Sequence, residues 1–274
     1  MNTHYPRLVL GYLVLSLVAL ADSPSDQLRS AQKKMNQFDY AGAIAVLDRA
    51  VAESPHAPEG YFWRAVAKEK QHDAIGALVD YAEAIRLDVT ETRYYLARGD
   101  LLLALDRYQA AYDDYDNVTA LRHVDYLGYQ KRGEARRQLK DYVHAISDFE
   151  TAINLNEHAP EPYARRAETL LLMNDPAAAL ERANEMVKLF PTYAGAYHLR
   201  SKIRVANRDK ESALVDLDET IHLSPDEAAF YKERAYLRAG LGDSEGAQAD
   251  VDQYNALIRT NRNPSSYKLA DSGS

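Results

Sequence analysis

A tyrosine recurs every 34 residues along this chain, and an arginine follows each one three positions later. The tyrosines are Tyr61, Tyr95, Tyr129, Tyr163, Tyr197 and Tyr231; the arginines are Arg64, Arg98, Arg132, Arg166, Arg200 and Arg234. An alanine keeps the same beat one repeat longer, at Ala43, Ala77, Ala111, Ala145, Ala179, Ala213 and Ala247, and no insertion or deletion interrupts the count. A fixed period of this length specifies a stack of equivalent supersecondary units, none of which can bury its apolar face alone. Such stacks make extended binding surfaces more readily than enclosed catalytic pockets.

With Tyr61 placed fourth in its unit, seven units run without a gap: 24–57, 58–91, 92–125, 126–159, 160–193, 194–227 and 228–261. Each reads as two helices. The first carries Tyr-x-x-Arg-small, as in Tyr95-Leu96-Ala97-Arg98-Gly99. A turn follows with aspartate at Asp39, Asp73, Asp141, Asp175, Asp209 and Asp243, where a carboxylate can cap the next helix by accepting its orphan N–H groups. The second helix has its apolar residues on one face: Ala145, Ile146, Phe149, Ala152, Ile153 and Leu155 are the clearest set. The eighth position is small throughout (Ala31, Ala65, Gly99, Gly133, Ala167, Ser201, Ala235), which lets two helix backbones approach closely.

This pattern resembles the tetratricopeptide repeat family. The likeness lies in the aromatic at position four, the small residue at eight, the alanine at twenty, the aromatic or aliphatic residue at 24, and a proline at 32 in Pro55, Pro191 and Pro225. Val118, Met186, Thr220 and Tyr254 depart from it where the family has a small residue. The resemblance implies an all-α, right-handed superhelical solenoid of antiparallel helix pairs with a concave groove lined by first helices. Gln27 and Ser30 replace the tyrosine and arginine in the first unit, and with Lys34 they fit a polar cap on the outer face of the stack. At the other end, Val251, Tyr254, Leu257 and Ile258 form an apolar face with no following unit, to be covered by the tail through Tyr267 and Leu269 or by self-association with a second molecule.

The segments outside the repeats differ in kind. Residues 1–21 read as a secretory signal peptide: Arg7, an uncharged apolar run over 8–21, and Ala19-Leu20-Ala21 as a cleavage pattern. Fourteen apolar residues are short for a spanning helix, so no stable membrane insertion is expected after cleavage, an uncleaved N-terminal anchor being the alternative. The remaining 262–274 is a polar tail. Export to a periplasm or cell surface follows from this reading. The absence of cysteine excludes disulfides, thiolate metal sites and a lipid-modified cysteine. The net charge of −8, or 32 − 41 = −9 once Arg7 leaves with the signal, disfavours nucleic acid as a partner.

Sixteen residues after each repeat arginine comes Asp80, Asp114, Asp148, Arg182, Asp216 or Asp250. In an antiparallel hairpin those positions stand at one level. Two readings follow: a structural ion pair, Arg64 with Asp80, Arg98 with Asp114, Arg132 with Asp148, Arg200 with Asp216 and Arg234 with Asp250; or an arginine ladder for a polyanion, which the paired aspartates and the net charge oppose. Arg182 breaks the pattern, so Arg166 needs another carboxylate and the fifth hairpin is expected to be the weakest.

No catalytic constellation, phosphate loop or paired histidines stand out, and no cofactor is expected. The groove positions offer instead an apolar group in Phe62, Val66, Leu96 and Leu103, three carboxylates in Asp100, Glu134 and Glu168, and Lys202 and Lys232 beyond them. That series would complement a protein or peptide partner with an apolar end and a basic centre. The family's carboxylate clamp needs lysine at position five and asparagine at nine of one helix, and no unit has both. The expected function is a non-enzymatic exported scaffold for assembling or organising envelope proteins. The alternatives are an accessory subunit of an envelope enzyme or export complex, and a chaperone-like binder of apolar segments.

Overall fold

The structure, a computed structural model, describes residues 24–262. The signal expected over 1–21 lies outside the described residues, as do Tyr267 and Leu269 of the tail. Among the described residues, fourteen α-helices alternate in two sets. The first helices are α1 (Pro24–Asn36), α3 (Pro58–Lys70), α5 (Thr92–Ala104), α7 (Tyr126–Gln138), α9 (Pro160–Leu172), α11 (Ala194–Ala206) and α13 (Ala228–Gly240). The second helices are α2 (Tyr40–Glu53), α4 (Ala74–Leu87), α6 (Tyr108–Leu121), α8 (Tyr142–Leu155), α10 (Pro176–Leu189), α12 (Lys210–Leu223) and α14 (Ser244–Arg262). Helix α14 takes in Arg262, the first residue of the expected tail.

Local signals explain the boundaries. Asp39, Asp73, Asp175, Asp209 and Asp243 accept backbone N–H bonds at the starts of α2, α4, α10, α12 and α14. Asp141 does not cap α8: its carboxylate turns to His144 Nδ1, 2.7 Å away. The first helices end in a left-handed residue at the same position each time: Phe38, His72, Asp106, Lys140, Asn174, Arg208 and Gly242. Only the last is glycine, so composition does not mark these turns.

The described residues fall into two compact units that divide between Val89 and Thr90. In the first, α1, α2 and α3 pack around Ala31, Ala43, Val46, Leu47 and Ala67, and α4 packs on α3. Phe62 belongs to this interior: it is 7% exposed, with its ring centroid 5.2 Å from Trp63 and 5.9 Å from Tyr81, so it is not a groove residue. Gln27 is also buried and donates to Glu53 at 2.8 Å, so it is an interior hydrogen-bonding group and not part of a polar outer cap. In the second unit each helix packs on the next from α5 to α14, with one core of Ile153, Tyr163, Ala183, Met186, Leu199 and Ile203 and another of Ala213, Leu217 and Leu237. Val118, Met186 and Thr220 are fully buried, which accounts for three of the family departures: the interior has room for them. Val251 is 40% exposed, with Tyr254, Leu257 and Ile258 half-buried.

In two hairpins a glycine at position eight faces an aromatic ring at position 24, whereas the second hairpin places Ala65 and Tyr81 there. Where 24 is Tyr115 or Phe149, position eight is glycine, and a β-carbon would lie 2.7 Å from the Tyr115 ring at Gly99 and 2.8 Å from the Phe149 ring at Gly133. Gly99→Ala should therefore cost about 1–3 kcal/mol through overpacking. The second change Tyr115→Leu should recover part of that loss. Denaturant unfolding of the two variants checks both expectations; additive losses would refute the matching.

Candidate functional site

The repeated Tyr-x-x-Arg motif closes on itself before it closes on anything else. The two side chains are one helical turn apart, and the guanidinium lies over the tyrosine ring, 5.2–5.6 Å from its centroid, in the pairs Arg64–Tyr61, Arg132–Tyr129, Arg166–Tyr163, Arg200–Tyr197 and Arg234–Tyr231. The guanidinium fork then grips the aspartate sixteen residues on. Nε and Nη2 reach both oxygens of Asp80 at 2.8 and 2.7 Å, of Asp114 at 2.9 and 2.6 Å, and of Asp148 at 3.1 and 2.7 Å. The Asp216 and Asp250 forks have the same form. All five aspartates are buried. The free Nη1 bonds backwards, to Asp48 from Arg64, to Asp116 from Arg132, to Asn184 from Arg200 and to Asp218 from Arg234. The tyrosine hydroxyl does likewise: Tyr61, Tyr163 and Tyr197 donate to the carbonyls of Pro55, Glu157 and Pro191. The ion pair is thus both within a hairpin and between hairpins. With its charges satisfied inside the fold, the ladder offers little to a polyanion.

A second cation one turn further on completes four of the five aspartates: Lys68 on Asp80, Arg136 on Asp148, Arg204 on Asp216 and Arg238 on Asp250. Leu102 occupies that position beside Asp114. Burial there outweighs Arg98, and the Asp114 carboxyl is pushed above its usual range. In the fifth hairpin, Arg166 is 6% exposed and turns to Glu185 at 2.6 Å, a carboxylate it shares with Arg182, while its Nε has no acceptor.

The groove carboxylates are engaged by the chain itself. Asp100 accepts from the buried Tyr115 hydroxyl at 2.6 Å and pairs with Lys131 at 2.9 Å. Glu134 is half-buried; burial opposes its charge, but the Arg137 fork and Gln138 hold its carboxyl below the usual range. Glu168 pairs with Arg165 at 2.8 Å. Val66 is half-buried in the first unit, and Leu96 and Leu103 are half-buried in the second.

Lys202 and Lys232 stand apart from these. Both are exposed, on α11 and α13, and both line an open cleft of about 570 Å³. Its other lining residues are Ser201, Val205, Leu217, Ala229, Glu233, Tyr236 and Leu237. Tyr236, 81% exposed, forms an aromatic wall. Glu233 turns to His198 Nε2 at 2.8 Å, and that hydrogen bond keeps its carboxyl below the usual range. His198 in turn lies 4.8 Å from the Phe230 ring, which ties α11 to α13 beside the cleft.

No protein-family model matches the chain, and no curated protein does. Solved structures do. A tetratricopeptide repeat protein from Parabacteroides merdae matches with a TM-score of 0.70 at 18% identity, covering 86% of this chain and 94% of that one. The chain has the tetratricopeptide-repeat fold, in seven helix pairs. The C-terminal part of a TPR repeat-containing protein from Cytophaga hutchinsonii gives 0.64 at 19% identity, covering 85% of this chain and 96% of that one. YrrB, described as a TPR protein with an unusual peptide-binding site, gives 0.52 at 20% identity, covering 67% of this chain and 95% of that one. Within a tetratricopeptide-repeat stack, Val205 and Tyr236 occupy first-helix positions twelve and nine. An apolar residue at each, beside two lysines, is the signal in the sequence that marks this cleft.

Two variants test the ion-pair account of the tetratricopeptide-repeat hairpins. Leu102→Lys supplies the missing second cation, so in a carbon-detected titration the Asp114 carboxyl, held above its usual range by burial, should move to a lower midpoint. The sign is fixed by linkage: a folded pKa above the unfolded one favours the fold below the unfolded value, and that contribution is lost as pH rises through the folded value. The variant should remove this loss, and an unchanged midpoint would refute the account. Arg182→Asp gives Arg166 Nε its acceptor and should raise amide protection across α9 and α10 by about tenfold, the worth of one charge-assisted hydrogen bond. Unchanged or lower protection would show that the orphaned nitrogen is not the weak point of that hairpin.

Proposed function

We propose that the protein is an exported, non-enzymatic scaffold that holds protein or peptide partners on the face of its first helices and serves the assembly or organisation of envelope proteins. The observation that carries this reading is the open cleft between α11 and α13, with its apolar floor, exposed aromatic wall and exposed lysines. It sits on helices held in register by buried ion pairs, so partner surface is met by a preorganised one. A peptide-binding site on a protein of the same fold, YrrB, supports the same use here. No group of metal-ligating side chains occurs among the described residues.

Export rests on the leader over 1–21. No helix among the described residues is long and apolar enough to cross a membrane. Full-length protein expressed in a bacterial host with a C-terminal tag should be recovered outside the cytoplasm, with a mass that begins at Asp22. A membrane-bound product of full mass would replace export with anchoring. Cross-linking from the envelope fraction should recover a specific protein partner. Recovery of none at native expression would overturn the scaffold reading.

A further inference from the structure

The α11–α13 cleft carries a net positive charge: Lys202 and Lys232 line it with one carboxylate, Glu233. The ladder arginines, and the cations one turn beyond them, are closed onto carboxylates or amide oxygens of the chain. Lys202 and Lys232 are exposed and make no ion pair among the described residues. Lys202 lies close enough to Glu233 to favour its ionised form, but the hydrogen bond of Glu233 goes to His198. A chain with a net charge of −8 therefore presents a locally basic rim over an apolar floor of Val205, Leu217 and Leu237.

We infer that this cleft docks an acidic–apolar segment of a partner protein, one in which an aliphatic or aromatic side chain is flanked by aspartate or glutamate. The inference deepens the scaffold reading and rests on it. A volume of about 570 Å³ takes one large side chain with its adjoining backbone. Tyr236 supplies a rigid aromatic wall of the kind that anchors such contacts. Lys202 and Lys232, from two different helices, meet carboxylates on either side of the buried residue. The same two charges repel a basic segment, so the rim sets specificity as well as encounter rate. A polyanion without apolar groups leaves the floor wet and gains only the exposed charges.

Three N-acetylated octapeptides test this with the full mature chain: one containing Asp-Glu-Leu-Phe-Asp-Glu, one with lysine for every acid, and one with serine for Leu and Phe. Fluorescence anisotropy should show saturable binding of the first, with the other two at least tenfold weaker. Lys202→Glu with Lys232→Glu should weaken the acidic peptide at least tenfold and favour the basic one. Tyr236→Ser should weaken the acidic peptide without that inversion. All three positions are exposed, so circular dichroism and the unfolding midpoint should stay unchanged. Binding of the three peptides within twofold of one another, or an acidic peptide indifferent to the double variant, overturns the assignment. A cross-linked partner recovered equally by wild type and double variant also overturns it and leaves the scaffold standing, whereas failure to recover any partner strikes the scaffold reading itself.

Discussion

The buried guanidinium–carboxylate fork is the constraint on which the rest of this structure depends. Five of the six repeat arginines grip an aspartate of their own hairpin through Nε and Nη2. Arg64, Arg132, Arg166, Arg200 and Arg234 stack on their own tyrosines, and four of these, all but Arg166, reach the preceding hairpin through Nη1. Charges of this kind add little net stability when well paired, because removing them from water costs nearly what their attraction returns. Their effect is on register. A hairpin that slipped by one residue would leave an aspartate and an arginine buried apart, at about 3–5 kcal/mol for each broken pair. Small residues at position eight permit many close approaches; the fork selects one of them.

Such a device leaves a record where it is incomplete. Asp114 has one cation where the other aspartates have two, and its carboxyl is displaced upward by burial. Arg166 has lost its aspartate to Arg182, and it is accommodated by a glutamate three residues further along α10 with one nitrogen orphaned. The fifth unit keeps the fold because Tyr163, Ala183 and Met186 still pack there. Packing supplies the stability, and the ion pairs supply the alignment. The separation of roles explains why one unit can lack the fork without breaking the stack.

The period made the architecture legible because identical spacing over the repeats leaves a single solution for the chain. Spacing of sixteen residues revealed the arginine–aspartate level, since both residues lie in one hairpin. What stayed hidden crosses from one unit to the next or depends on side-chain direction. The acids at Asp48, Asp116 and Asp218 precede their arginines by sixteen residues, a second use of the same spacing that the forward pairing masks. Phe62 shares a repeat position with the half-buried Gln130 and His198 and the exposed Lys232, and only packing against Trp63 and Tyr81 shows that it turns inward. Asp141 has the residue type of a cap, but His144 draws its carboxylate aside. The acidic series of Asp100, Glu134 and Glu168 was readable as residues but not as available charge, because the cations that meet it are scattered: Lys131 and Arg165 at position six of the fourth and fifth units, and Arg137 at position twelve of the fourth.

A charge closed within the fold stabilises one arrangement of the chain, and only a charge left open can select among partners. Most of the arginine in these helices, and all three groove carboxylates, belong to the first class. Lys202 and Lys232 belong to the second, and they flank an apolar floor whose exposure costs solvation that a partner could recover. The conspicuous periodic residues therefore describe how the helices are held. The residues that break the period describe what the helices present to solvent: α11 carries Lys202 and α13 carries Tyr236 where earlier units have paired acids, with Val205 and Lys232 beside them.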